Sequence, residues 1–256
     1  MRMRAPRPDL RVRHGEYGFD GGSAQALLGA GLGSLGVMGL TPVAIRSGRK
    51  LLATLGVAAS LGVLSTVPLF VYATRRGKFQ VWADLLDELG WHGRERVLDA
   101  GCGRGAVMTM AAQLVPDGTV VGVDLWTDDQ SGNGPAAARQ NIRREGVVRQ
   151  CQLTTGNLLA LPFADASFDL VLSSLAIHNI DQARVTSQRR LHALDEVARV
   201  LKPGGRLVIA DLMWTSAYAR RLRELGMADV QQRKLGWRIW YGPWLGADLV
   251  TATMPG

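Results

Sequence analysis

An α/β fold built on a mostly parallel sheet, with a ligand held at one sheet edge, is predicted by three features of the sequence. The buried-strand pattern Arg96-Val97-Leu98-Asp99-Ala100 runs into Gly101-Cys102-Gly103-Arg104-Gly105 and then into an apolar stretch of helical length over 106–115. Further strand patterns over 119–124, ending on Asp124, and over 206–211 are separated by segments of helical character, as in a parallel sheet. Glycines at alternate positions permit positive φ and close approach of the backbone to a ligand, and the next helix presents free N–H groups. Asp99, two residues before the first glycine, repels a pyrophosphate and welcomes an ammonium or sulfonium charge. A glycine turn alone also fits a dinucleotide site, in which an acid follows the glycines by roughly 20 residues.

Taken together, the Asp99 to Gly105 turn and Asp124 resemble the class I S-adenosylmethionine-dependent methyltransferases, over about 78–256. Gly156-Asn157-Leu158, Leu161-Pro162-Phe163 and the run 167–173 look like that family's third and fourth strand signatures, and 201–209 looks like its fifth. The resemblance implies a Rossmann-like seven-stranded sheet with helices on both faces and S-adenosyl-L-methionine as cofactor. It further implies that Asp99, Gly101, Gly103 and Gly105 hold the methionine part and that Asp124 takes the ribose hydroxyls. Cys102, Leu158 and Ser173 fall within the matched blocks and join the expected cofactor site. Leu125 and Trp126 are expected beside the adenine, with Asp128-Asp129-Gln130-Ser131 either over the cofactor or in a solvated loop. Asn157 stands where many members have an aspartate that accepts from the adenine amino group; asparagine keeps an acceptor oxygen.

Upstream, the chain divides by composition. Residues 1–20 are polar and arginine-rich without apolar periodicity, which predicts a disordered basic tail. Residues 21–77 predict a membrane hairpin with helices about 24–45 and 51–73. Each run is uncharged, and a helix over 24–45 would be about 33 Å long, enough to cross a bilayer. Basic residues in the tail and at Arg75, Arg76 and Lys78 predict that the catalytic domain faces the cytoplasm. Gly29, Gly31, Gly33, Gly36 and Gly39 lower the hydropathy of the first run. A helix with Val81, Trp82, Leu85, Leu86 and Leu89 on one side is expected before the first strand.

Of 30 Lys and Arg residues and 22 Asp and Glu residues, 11 basic and 3 acidic fall within 1–78, so the remainder of the chain is net neutral. The high isoelectric point therefore describes the N-terminal region, and no nucleic-acid partner is expected. Two cysteines make no disulfide framework and no metal-ligand spacing, so no metal is expected. Cys102 reads as a small buried loop residue.

The stretch 172–180 leaves the fourth strand where ligands of open α/β sheets bind. His178 is the candidate general base there, with a purely structural hydrogen-bonding role as the alternative, and Asn179 is placed to orient a substrate. A final antiparallel pair is expected near 230–235 and 248–253. Between the pair, Trp237, Trp240, Tyr241 and Trp244 exceed what a connection needs. Trp240 and Tyr241 are read as substrate-pocket residues, with contact to a bilayer interface or packing over the sheet edge as alternatives. The functional expectation is methyl transfer to a small lipophilic acceptor at the cytoplasmic membrane face. The alternatives are a soluble amine or carboxylate acceptor with the hairpin serving only localisation, and a non-catalytic membrane scaffold.

Overall fold

The computed structural model describes residues 8–19, 23–127, 132–181, 187–241 and 246–256. Helices α1 (Ser23–Arg46) and α2 (Lys50–Tyr72) form a hairpin, and the π-helical turn Ala73–Gly77 carries α2 without a break into α3 (Lys78–Glu88). There follow β1 (Arg96–Ala100), α4 (Ala106–Ala112), β2 (Thr119–Asp124), α5 (Pro135–Arg144), β3 (Cys151–Thr155) and β4 (Phe168–Ser174). The chain ends with α6 (Gln188–Val200), β5 (Leu201–Asp211), α7 (Thr215–Glu224), β6 (Ala228–Lys234) and β7 (Asp248–Thr253).

The sheet order is β3-β2-β1-β4-β5-β7-β6. β1 to β5 are parallel, and β7 lies antiparallel to both β5 and β6, as the expected final pair requires. Chain order reverses between β1 and β4, and the carboxyl ends of those strands flank the crevice in which ligands of such sheets bind. β1 and β4 are apolar on both sides because both sheet faces are covered. One face buries Val81, Trp82, Leu85 and Leu86 of α3 with Met108 and Met110 of α4. The other buries Leu194 and Val197 of α6 with Tyr218 and Leu222 of α7. Trp82 is 1% exposed and donates its indole N–H to Ser174 Oγ at 2.9 Å, which ties α3 to the end of β4.

The expected disordered tail is corrected over 8–19. Leu10 and Tyr17 are buried in the core cluster that holds α3 and α4. Apolar periodicity gave no sign of this because two isolated side chains and polar contacts anchor the segment. Tyr17 Oη lies 2.8 Å from Thr109 Oγ1 and donates to Glu145 Oε1 at 2.8 Å.

The expected two-pass arrangement is not supported. The hairpin forms, but among the described residues only the helix over Lys50–Glu88 is long and apolar enough to cross a membrane. Five glycines and Pro42 dilute the apolar character of α1. Both helices nevertheless expose large apolar side chains, including Leu40 at 67%, Leu51 at 72% and Leu55 at 57%.

The hairpin base is fixed to the domain by aromatic contacts. Phe70 packs edge-on against Tyr241 with ring centroids 6.0 Å apart, and Tyr72 stacks on Trp237 at 5.2 Å. Phe19 stacks on Phe70 at 6.3 Å, with the Arg75 guanidinium 4.4 Å from the centre of the Phe19 ring. At Gly77 a Cβ would lie 1.7 Å from the Arg238 carbonyl oxygen, so only glycine lets the π-helical turn pass beneath the 237–241 segment.

Candidate functional site

Four strand ends and the loops after them converge at the carboxyl edge of the sheet. After β1, Gly101 has φ +79° and Gly105 φ +80°, both in the left-handed region that favours glycine. Gly101 and Cys102 donate their N–H groups to Val123 O at 2.9 and 3.1 Å, which fastens the turn to β2. A Cβ on Gly101 would lie 2.2 Å from the Ala176 Cβ, so the segment after β4 lies directly against the turn.

Asp124, at the end of β2, accepts the Gly103 N–H on one carboxylate oxygen at 2.8 Å and the Trp126 N–H on the other at 2.6 Å. Its carboxylate thus orients the glycine turn and is half-buried. Leu125 is 53% exposed beside it, while the Trp126 indole donates to Thr155 Oγ1 at 2.8 Å. Residues 128–131 lie outside the described part of the chain.

Asp99 is 1% exposed. One oxygen accepts the Met108 N–H at 2.8 Å, which anchors the first turn of α4, and the other is buried without a partner. Burial, opposed by the Met108 hydrogen bond and reinforced by the nearby Asp124 charge, pushes the Asp99 carboxyl up to about 7. An unpartnered carboxylate oxygen beneath a glycine turn suits a ligand that brings positive charge, and Asp124 suits a ribose. The residues present therefore fit S-adenosylmethionine, with Asp99 acting partly through α4.

The Asp99 shift has a thermodynamic consequence. An unfolded aspartate titrates near about 3.9, so between about pH 4 and pH 7 the folded chain holds a proton that the unfolded chain releases. Stability of the ligand-free protein contributed by this group therefore falls as pH rises through that window. Against an Asp99→Asn variant, which does not titrate, the wild type should lose about 3 kcal/mol between pH 5 and pH 8. Urea unfolding of both proteins at the two pH values measures the difference; a pH-independent gap would contradict the assignment.

Other expected cofactor residues take varied places. Cys102 is buried and desolvation pushes its thiol well up, so it is a neutral packing group at neutral pH. Leu158 is in the core cluster beneath the turn, and Ser173 donates its hydroxyl to Ala100 O at 2.9 Å, joining β4 to β1. Asn157 already accepts the Leu159 N–H at 3.0 Å in its own turn, leaving one lone pair of that oxygen for an outside donor.

His178 lies in a short 3₁₀ turn (Ile177–Asn179) and is 9% exposed. Its Nδ1 is hydrogen-bonded to Asp211 Oδ1, and its backbone N–H donates to Asp211 Oδ2 at 3.0 Å. Asp211, the last residue of β5, is wholly buried and also accepts from the Leu212 N–H at 2.9 Å and from Tyr218 Oη at 3.3 Å. Asp211 is not among the residues that the sequence singles out; its place at the end of a strand after an apolar run is the available signal. Asn179 is half-buried, with its amide donating to Leu175 O at 3.3 Å. Tyr241 is 7% exposed and packs edge-on against Phe70 at the hairpin base. Trp240 is half-buried and pairs with Gly246 across a bridge.

A cavity of about 390 Å³ lined by His92, Arg94, Glu95, Asp169 and Arg206 opens at the amino ends of β1 and β4, the edge opposite this cleft. Its polar walls carry no catalytic constellation. Among the described residues no group of three His, Cys, Asp or Glu side chains is placed to hold a metal ion.

A Rossmann-like sheet with a glycine turn, a buried acid beneath it and a ribose-type acid on the next strand defines a nucleoside-cofactor domain. Residues 98–209 match the family described as "Methyltransferase domain". Residues 98–209 therefore resemble a methyltransferase domain, and the cofactor that this likeness supports is S-adenosylmethionine. It is 33% identical over 136 residues to the ubiquinone/menaquinone biosynthesis C-methyltransferase of Dinoroseobacter shibae, covering 53% of this chain and 50% of that protein. It is 36% identical over 136 residues to 24-methylenesterol C-methyltransferase 2 of Oryza sativa subsp. japonica, covering 53% and 33%. The chain spans about half the length of the curated relatives it matches. The crystal structure of a SAM-dependent methyltransferase from Aquifex aeolicus superposes with a TM-score of 0.51 over 68% of this chain and 89% of that one, at 19% identity, a likeness of fold.

Proposed function

We propose that this chain transfers the methyl group of S-adenosylmethionine to a small lipophilic acceptor at a membrane surface. The observation that carries the reading is the continuous helix Lys50–Glu88, whose first part exposes Leu51, Leu52, Leu55 and Leu61 and whose last part lies in the core of the methyltransferase domain. A helix apolar all round yet exposed needs an apolar solvent, and α2 at about 1.5 Å per residue matches a bilayer core. Arg49 and Lys50 at one end of α2 and Arg75 and Arg76 at the other suit the two headgroup layers. Relatives named for quinone and sterol C-methylation support a lipophilic acceptor. When bound, the cofactor supplies an electrophilic methyl group; the chain binds it, orients it and excludes water.

Vesicle flotation with the full chain tests the membrane part. The wild type should float with phosphatidylcholine–phosphatidylglycerol vesicles, and a Leu55→Glu, Leu61→Glu variant should remain in the dense fraction. A wild type that stays monodisperse and vesicle-free without detergent would overturn it. Calorimetric titration with S-adenosylhomocysteine tests the cofactor part separately.

A further inference from the structure

We infer that Asp211 is a positioning residue that holds His178 as a base, and that the acceptor's reacting group is a weakly acidic hydroxyl of the phenol or enol type. The inference rests on the methyltransferase reading and goes further by naming the acceptor chemistry. Asp211 accepts from both the backbone N–H and the ring Nδ1 of His178, so the imidazole is fixed in position and in tautomer: Nδ1 carries the proton and Nε2 keeps its lone pair.

The elements around the pair fix it further. Tyr218 of α7 donates to the same carboxylate, and burial beside the Asp211 charge raises its pKa, so the phenol stays protonated as a donor. Arg190 of α6 is 2% exposed, donates to Ile180 O at 2.9 Å and Asp181 O at 3.3 Å, and packs 3.5 Å from the centre of the Trp214 ring. The turn bearing His178 is therefore held by Asp211 of β5, the residues just after it by Arg190 of α6, and Asp211 itself by Tyr218 of α7. Ala176, two residues before His178, lies against Gly101, so the segment that carries His178 adjoins the glycine turn.

A fixed imidazole base has no task if the acceptor is a carboxylate, which is already ionised, and a modest one if it is an amine with a free lone pair. A phenolic or enolic hydroxyl needs it. In the step, the acceptor O–H bond breaks and its proton passes to His178 Nε2, giving an imidazolium paired with Asp211. The electron pair left on the acceptor, at oxygen or at the conjugated carbon, forms the new bond to the methyl carbon as the carbon–sulfur bond breaks and S-adenosylhomocysteine leaves.

The test uses full-length protein in detergent, labelled with ¹⁵N-histidine, with His178→Gln to assign the resonance. At pH 7.5 His178 should report a protonated Nδ1 and a bare Nε2, and Asp211→Asn should lose that preference. In parallel, 1-naphthol, 1-naphthoic acid and 1-naphthylmethylamine are offered with S-adenosylmethionine, and products are identified by mass spectrometry. 1-Naphthol should be methylated, with kcat down about 100-fold in His178→Gln and about tenfold in Asp211→Asn, and S-adenosylhomocysteine affinity within about twofold of wild type in both. A proton on Nε2 in the wild type, an unchanged tautomer in Asp211→Asn, or methylation of the acid or the amine alone or of none of the three would overturn the inference. Failure of wild-type S-adenosylhomocysteine binding would instead overturn the underlying functional reading.

Discussion

Gly101→Ala should abolish measurable S-adenosylhomocysteine binding, while Gly105→Ala should weaken it by no more than about tenfold. Both glycines have φ near +80°, so both substitutions carry the same backbone strain of about 1 kcal/mol. They differ in what the new methyl group meets. At Gly105 the nearest atoms are 3.9 Å away, in Met108 and Thr109, which is ordinary contact. At Gly101 the Cβ would sit 2.2 Å from the Ala176 Cβ, and neither atom is the end of a flexible side chain.

Relief at Gly101 requires movement of backbone. The turn is fastened to Val123 O by two N–H groups, and the 175–179 segment is held by Leu175 N–H on Ala210 O and by the Asp211 contacts to His178. Displacing either breaks hydrogen bonds worth about 1 kcal/mol each, more where a carboxylate accepts, and opens the surface that the cofactor must meet. Isothermal titration of both variants, with thermal unfolding to confirm folding, separates the two effects. Equal affinities would show that the turn tolerates a methyl group and that the close approach to Ala176 is dispensable.

The strands, the glycine turn and both acids were legible because each rests on local chemistry. An apolar run followed by glycines defines β1 and its turn, and an apolar run ending in an acid defines β2. Of the terminal antiparallel pair, β7 carries the buried apolar residues, whereas β6 is mostly polar and exposed. What sequence could not supply was the pairing of groups far apart in the chain. Asp211 and His178 lie 33 residues apart, and nothing in their neighbourhoods signals that β5 ends beside the turn after β4. Asn157 is a mixed case: its type suggests an adenine contact, and its oxygen also accepts the Leu159 N–H in its own turn. Tyr241 reads as a pocket residue for its amphipathic ring; its packing on Phe70 of α2 is a further long-range contact that sequence could not supply.

The segment over 8–19 is the largest departure from sequence expectation, and Glu145 is where it is most vulnerable. The Oε1 atom accepts from the His14 N–H at 3.0 Å, the Gly15 N–H at 2.8 Å and Tyr17 Oη at 2.8 Å, and lies 3.1 Å from Arg13 Nη2. The Arg13 and Glu145 side chains are 7% and 1% exposed, and the guanidinium also lies 5.4 Å from the centre of the Tyr17 ring. Burial pushes the Tyr17 hydroxyl up to about 12, so it remains a neutral donor at all ordinary pH. Glu145→Ala leaves the arginine charge buried without its counter-ion, a change that costs about 3–5 kcal/mol. The chain can escape that cost by releasing the segment, which should then be cut by trypsin at Arg11 and Arg13. Release also reaches the cofactor turn, because Asn141 Nδ2 donates to both Glu16 O and Arg104 O at 2.9 Å. Glu145→Ala should therefore show rapid tryptic cleavage near residue 13 together with a several-fold loss of S-adenosylhomocysteine affinity. The double variant Arg13→Met, Glu145→Leu, which removes both charges and keeps the bulk, should recover most of the protection. A single variant as resistant to trypsin as the wild type would mean that Leu10 and Tyr17 hold the segment by packing alone.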